Sequence, residues 1–346
     1  MSFGSPYLLL SLIAVPLAAG AYWFFERRRE RRAAAWSRPA LLPNMARRPS
    51  YWLPHTPALL FLLGVTALLL IVVLFLKPVN DTHRWIRLGG LSFQPAELAK
   101  LAVILFLAYH LERKGERINE FLTSLFPVLL LMGWFAFLIF IQPDLGSAAT
   151  LLLISGGMLF LAGVRIRYFA TLALLGLPLL YKAVMVAAYR RERLEAFLNP
   201  WSDARGSGYQ IIQSLIAVGT GGATGVGLME GRQKLFYLPY PYSDFIYAVI
   251  GEELGLLGSL AVVAAFALLL WRGIRTAWKA PDPFGMYLAA GLTLAIVEQA
   301  LINLSVVLGL LPTKGIPLPF VSAGGSSLVL TLMAVGVVLN VSQHAD

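Results

Sequence analysis

Three carboxylates, Asp244, Glu252 and Glu253, stand at the start of a long apolar stretch, behind the turn Pro239-Tyr240-Pro241-Tyr242-Ser243. A charge at membrane depth costs about 2.5 kcal/mol or more unless it is solvated or paired. Asp244 sits at the end of its helix and is the most exposed of the three by position. Aspartate there serves either as an N-cap that suits the helix dipole or as a general base facing a watery cavity. The two uses compete, because bonding to backbone amides makes a carboxylate a weaker base. Glu252 and Glu253 lie two turns deeper. Adjacent helical residues point about 100° apart, so at most one is expected to face a cavity, and both read as structural anchors.

Other polar residues fall near the ends of apolar runs. Glu97 and Lys100 are three apart on one helical face and can pair, which lets Lys100 sit in the membrane or meet an anion. Arg84, Arg87, Arg232, Lys234 and Lys314 lie between spans on one side, where a phosphate-bearing headgroup would lie; each is equally explained as solvated surface charge. Asp144, in Gln142-Pro143-Asp144-Leu145-Gly146, is expected to cap the following helix. Lys182 is expected to snorkel to the interface. Glu298 and Gln299 are polar residues inside a span, either a site or a helix–helix hydrogen bond.

The elements that must position these groups are set by composition. The chain has 346 residues, 58% hydrophobic and 13% charged, where a soluble domain is about 25% charged. Only a polytopic membrane protein fits. With no cysteine there is no disulfide or thiolate chemistry, and the four histidines (His55, His83, His110, His344) are too scattered to suggest a metal centre. The net charge of +10 is placed mostly between spans, where anionic lipid rather than nucleic acid explains it. The first apolar segment is read as a retained helix, since the basic cluster follows it.

Spans are expected near 6–25, 57–77, 95–111, 121–141, 147–163, 167–188, 245–271, 284–308 and 322–342. The expectation is an all-α, polytopic integral membrane helical bundle of about 9–10 transmembrane helices, with one long structured extracellular loop. Lys and Arg placement puts 26–56, 112–120, 164–166, 272–283 and the C-terminus inside. Segments 78–94, 189–244 and 309–321 then share the outer face. Segment 189–243 is too long for a plain connector. A short helix is expected at 209–218, followed by glycines (Gly219, Gly221, Gly222, Gly225, Gly227) suited to tight packing or to substrate contact. There is no G-x-x-x-x-G-K-[ST], H-E-x-x-H or dinucleotide motif.

Six blocks, in order, resemble the SEDS family (shape, elongation, division and sporulation), and within it the RodA type. They are Arg84-Trp85-Ile86-Arg87-Leu88-Gly89, Gln94-Pro95-Ala96-Glu97-Leu98-Ala99-Lys100-Leu101, Gln142 to Gly146, Gly208-Tyr209-Gln210, Asp244 to Gly255, and Gly309 to Gly315 continuing through Pro317-Leu318-Pro319-Phe320-Val321-Ser322 to Ser327. The resemblance implies a multispanning peptidoglycan glycosyltransferase of the bacterial cytoplasmic membrane. Such an enzyme polymerises lipid II into glycan strands and works with a class B penicillin-binding protein, the transpeptidase. It implies Asp244 as the essential aspartate, and Trp85 and the Glu97–Lys100 pair as site residues. Family members usually have ten spans and begin inside; nine are read here, beginning outside. Tyr242 and Ser243 stand where a His-Thr pair is usual, and Ala323 where a Tyr is usual. The chain therefore divides into 1–57, a divergent N-terminal membrane segment with a basic cytoplasmic loop, and 58–346, the SEDS-like catalytic domain. The first resembles the membrane hairpin ahead of some von Willebrand-type domains.

The mechanism these residues suggest is an inverting displacement. Asp244 takes a proton from an acceptor sugar hydroxyl, and a lipid pyrophosphate departs toward Arg84, Arg87, Lys100 or Lys234. A divalent cation is an alternative source of that charge. Lys314 is a further substrate contact; Glu97, Glu252, Glu253 and Asp144 support the site. The rival readings are a transporter (flippase) for the lipid-linked precursor and a non-catalytic scaffold.

Overall fold

The computed structural model describes residues 56–76, 82–88 and 91–345. The segment expected to span 6–25 and the basic loop after it lie outside the described residues. The chain falls into two compact units, Met1–Leu62 and Leu63–Asp346.

Every apolar run expected to be a span within the described residues is a helix. They are α1 (Thr56–Val72), α2 (Pro95–Lys114), α3 (Phe126–Ile141, entered through a π-helical turn at Phe121–Leu125), α4 (Leu145–Leu161) and α5 (Ile166–Val186). After the long connection come α9 (Ile246–Trp278), α10 (Pro283–Val307) and α11 (Gly325–Gln343). Lipid offers no partner for a free N–H or C=O, so a run of this length has to close its own backbone bonds. Six of these helical stretches are long and apolar enough to cross a membrane. Two differ from the simple expectation: α4 is only 17 residues, and the apolar face of α2 is interrupted by Glu97 and Lys100. The chain is a multi-pass membrane protein of all-α class. One antiparallel ribbon interrupts it, β1 (Ile86–Leu88) on β2 (Leu91–Phe93), with Arg87 opposite Ser92.

Helix α10 is the hub. It packs against α9, α2, α4, α11 and the connection helix α7 (Tyr209–Gly221), and it is the most enclosed of the six spanning helices. Helix α5 is the opposite case, with no buried residue along 21 positions. Most of its apolar side chains are exposed, which is favourable in a bilayer, although Phe169 meets Phe160 of α4.

The connection between α5 and α9 is built from α6 (Ala188–Leu198), α7 and α8 (Gln233–Phe236). The short helix expected at 209–218 is α7, three residues longer than expected. Helix α9 is broken at Gly255 (φ 63°, ψ −157°), a conformation that glycine reaches without steric cost. The break would strand backbone groups at membrane depth. The connection takes them up: Val226 and Gly227 donate to the carbonyls of Glu252 (3.0 Å) and Glu253 (3.1 Å), and Leu256 and Leu257 donate to Gly222 (2.9 Å) and Ala223 (3.3 Å). A side chain on Gly221 or Gly225 would run into the carbonyl of Gly251 or Glu253. Those two glycines serve close packing, as one of the two readings had it.

Candidate functional site

The site forms where the starts of α2, α4, α9 and α11 meet the ends of α3 and α10. Described parts of the three segments expected to share the outer face, 78–94, 189–244 and 309–321, meet there: Arg84 and Lys314 both approach Asp144, and Asn303 joins Asp244 to Ile316.

Asp144 organises the first half. It caps α4, accepting from the Ser147 amide (3.0 Å) and hydroxyl (2.8 Å). Gln94 donates to the same carboxylate at 3.2 Å. Arg84 and Lys314 approach it to 3.9 Å each, and Arg84 also donates to the carbonyl of Pro143. Burial opposes the charge on Asp144, but Lys314, Arg84 and the two Ser147 bonds together hold its carboxyl below the ordinary range. Capping was expected; the two cations were not. Lys314 reaches this place by lying directly over Gly146, where any Cβ would collide with its side-chain end. Its ammonium is buried without a hydrogen-bond partner among the described residues. Burial brings its pKa down to about 8, despite the help of Asp144.

Lys100 supplies the next cation. It is buried, pairs with Glu97 at 2.8 Å, and donates to Gln299 Oε1 on α10 at 3.1 Å. Gln299 in turn donates to the Pro317 carbonyl at 3.0 Å. Gln94, Glu97, Lys100, Ser147, Thr150 and Lys314, with residues 315–317, line a small, partly open cavity.

Asp244 stands beside this cavity, not in its wall. The chain turns tightly at Tyr240 (φ 52°), whose carbonyl accepts from the amides of Ser243 and Asp244, both at 3.2 Å. Asn303 of α10 clamps the turn to the 309–323 segment, donating to the carbonyls of Asp244 (2.8 Å) and Ile316 (2.7 Å). The Ser322 hydroxyl bonds the Ser243 carbonyl, and the Ala323 amide bonds Tyr242. With the main chain so held, the Asp244 side chain lies against Gly315, whose missing Cβ would sit 2.7 Å from Oδ2. The capping role does not survive: Phe245 is the N-cap of α9, and no side chain caps it. Burial pushes the Asp244 carboxyl above its ordinary range, against the Ser243 hydroxyl and the Arg193 charge. Arg193, on α6, also reaches the Thr313 carbonyl at 3.5 Å.

Glu252, Glu253 and Lys234 form a separate clasp. Glu252 accepts from the amides of Arg232 (2.8 Å) and Gln233 (3.2 Å). Glu253 accepts from the Met229 amide at 3.0 Å and pairs with Lys234 at 2.5 Å. At most one of them was expected to face a cavity; neither lines this one, and both carboxylates anchor the connection instead. The connection wraps the broken helix and offers amides over a wider angle than a straight wall would. Lys234 was expected to meet substrate; it is enclosed by Glu253 and the Met229 carbonyl, so its charge is already matched. Arg87 is exposed on β1 and Trp85 half-buried just before it; neither lines the cavity. Asn303, Arg193, Gln94 and Gly146 were missed. Asn303 carried the same signal as Gln299, a lone amide inside an apolar span. Gly146 carried none, since its reason is a lysine far away in sequence.

A divalent ion held by protein alone does not fit. Among the described residues no three His, Asp or Glu side chains converge, and the carboxylates of Asp144 and Glu97 are already engaged by cations.

Comparison with known proteins bears on the same residues. The family model described as Cell cycle protein, covering FtsW, RodA and SpoVE, matches residues 44–346. A second, Aerotolerance regulator N-terminal, matches residues 1–78. The chain is 48% identical over 263 residues to the probable peptidoglycan glycosyltransferase FtsW of Geobacter sulfurreducens, covering 76% of this chain and 70% of that one. It is 46% identical over 288 residues to stage V sporulation protein E of Bacillus subtilis, covering 82% and 79%. Among solved structures it resembles RodA of Thermus thermophilus at TM-score 0.60 and 29% identity, covering 83% of this chain and 78% of that one. A chain from a structure concerned with polymerization and crosslinking by a peptidoglycan synthase complex gives TM-score 0.67 and 33% identity, covering 83% and 81%. Relatives thus carry both FtsW and RodA names, without separating the two types. The order of motifs, the helical bundle and a match over residues 44–346 agree: this chain belongs to the FtsW, RodA and SpoVE family, the SEDS proteins.

Proposed function

We infer that the protein is a peptidoglycan glycosyltransferase that polymerises lipid II at the outer face of the bacterial cytoplasmic membrane. Relatives named as probable peptidoglycan glycosyltransferases support the activity. The observation that carries the residue assignment is local. One partly buried carboxylate, Asp244, is free of any capping duty and adjoins a cavity lined by Lys100 and Lys314, with Arg84 close to Asp144 nearby.

In this reading the diphosphate of the lipid donor rests against Lys100 and Lys314, with Arg84 behind them. Asp244 accepts the proton of the acceptor hydroxyl as that oxygen attacks the anomeric carbon. The carbon–oxygen bond to the diphosphate breaks, and the leaving anion is met by fixed cations in a poorly solvated place, where they act most strongly. The diphosphate leaves unprotonated, so a single base suffices and the anomeric centre inverts. A carboxyl raised by burial is a better base once ionised. A class B penicillin-binding protein is the proposed partner, supported by the likeness to a chain of a synthase complex.

The test is glycan synthesis from lipid II by the purified full chain with its transpeptidase, comparing wild type with Asp244→Asn. Retention of wild-type synthesis by the variant would sink the assignment. Measuring precursor translocation in the same liposomes decides against the transporter reading if synthesis proceeds without it.

A further inference from the structure

Glu298, on the hub helix α10, is used by nothing described so far. Both of its carboxylate oxygens are buried and have no hydrogen-bond partner among the described residues. A buried, unpartnered carboxylate is costly, and an aliphatic or amide side chain would serve packing at less cost. The opposite charges that act on it are those of Lys100 and Lys314, the two lysines that line the cavity. Neither bonds it: Lys100 is held by Glu97 and Gln299 at 2.8 and 3.1 Å, and Lys314 leans toward Asp144 at 3.9 Å.

Helices α4 and α11 carry no titratable side chain. On α7 the only one is Tyr209. On α9, Glu252 and Glu253 are closed in the clasp, Tyr247 donates to the Ser259 carbonyl, and Arg272 and Arg275 lie toward its other end. On α2, Glu97 pairs with Lys100 at 2.8 Å, and Tyr109, His110, Glu112, Arg113 and Lys114 lie toward its other end. Glu298 therefore acts electrostatically on two groups, both of which face the cavity.

We propose that Glu298 is a positioning residue that competes with the substrate diphosphate for the charge of Lys100 and Lys314, so that the bound anion stays loose enough to leave. The inference rests on the reading that a diphosphate occupies this cavity. Two lysines and an arginine around a dianion would otherwise hold it as a trap. A carboxylate acting on both lysines weakens their hold on the bound anion and so favours its release.

The probe is inorganic pyrophosphate, titrated into the full chain in lipid nanodiscs and used as an inhibitor of lipid II polymerisation. E298Q should bind it about tenfold tighter, the scale of one unit charge acting over several ångströms at intermediate dielectric. The same variant should lower KM and kcat together, since release becomes slow. E298D, which keeps the charge, should return both toward wild type. Unchanged or weaker pyrophosphate affinity in E298Q, or a lower kcat with KM unchanged or raised, overturns the proposal. A wild-type protein that binds no pyrophosphate overturns the diphosphate reading of the cavity itself, whereas binding that E298Q leaves untouched overturns only the role of Glu298.

Discussion

The clasp around Gly255 and the basin around Lys314 are built from the same materials and finished differently. In the clasp, Glu252, Glu253 and Lys234 meet partners at 2.5 to 3.2 Å, and the backbone groups freed by the broken helix are taken up by 222–227. In the basin, cations stand 3.9 Å from Asp144, and among the described residues the Lys314 ammonium lacks a hydrogen-bond partner and Glu298 has none for either oxygen. Buried polarity that is fully satisfied rigidifies a fold, and polarity left open is costly. The difference separates carboxylates that shape the protein from those poised to meet something absent. Glu253 and Asp244, nine residues apart in one motif, fall on opposite sides of that line.

The largest effect should come from the open side. Asp244→Asn is expected to lower polymerisation about 10²- to 10⁴-fold, the usual contribution of a positioned base, with no fall in the thermal transition of the purified protein. A matching loss of stability would show that Asp244 belongs with the clasp. On the closed side, Glu253→Gln or Glu252→Gln should cost about 3–5 kcal/mol, the scale of breaking a buried ion pair or charged network. Thermal unfolding should therefore show a lower transition, and activity should fall only because less protein is folded. A stable but inactive variant would move these residues to the basin.

Gly146→Ala probes the basin's geometry. Its Cβ would meet the flexible end of Lys314, so the ammonium must leave Asp144 while the fold persists. Turnover should drop about 10- to 100-fold, as small misplacements of charged groups do, with little change in melting. Wild-type kinetics would mean that Lys314 is a bystander.

The finest distinction is in pH. Asp244 works only when ionised, and burial raises its pKa, so the acid limb of the rate profile should lie above the ordinary carboxylate range. Lys314 is charged only below about 8, so anion handling should fade as pH passes that value, giving a bell. Arg193→Gln removes a charge that favours ionised Asp244, and should shift the acid limb upward. An acid limb at the ordinary carboxylate position, unmoved by this change, would make Arg193 irrelevant to the base.

Much of this was legible in the chain. Each expected span within the described residues is a helix, and Glu97 with Lys100, three apart, pair as their spacing requires. Asp144 caps α4 as its place after Gln142-Pro143 suggests. The readings that failed share a cause. Asp244 looked like a cap because it precedes a helix, yet Phe245 holds that place. Lys234 looked available because it lies in a polar loop, yet Glu253 holds it. The first outcome depends on how Asn303 and the 309–323 segment hold the turn before α9, the second on how the connection folds back over that helix, and no local spacing encodes either.

The sequence alone determined the membrane class, the position of the helices and the inventory of charges, because lipid forces each long apolar run to satisfy its backbone internally. Tertiary structure alone decided which charges are spent and which remain open. Lys100 meets Gln299 across 199 positions, and Lys314 reaches Asp144 over Gly146. Electrostatics in a medium of low dielectric turns on ångströms between side chains distant in the chain, and only packing sets those distances.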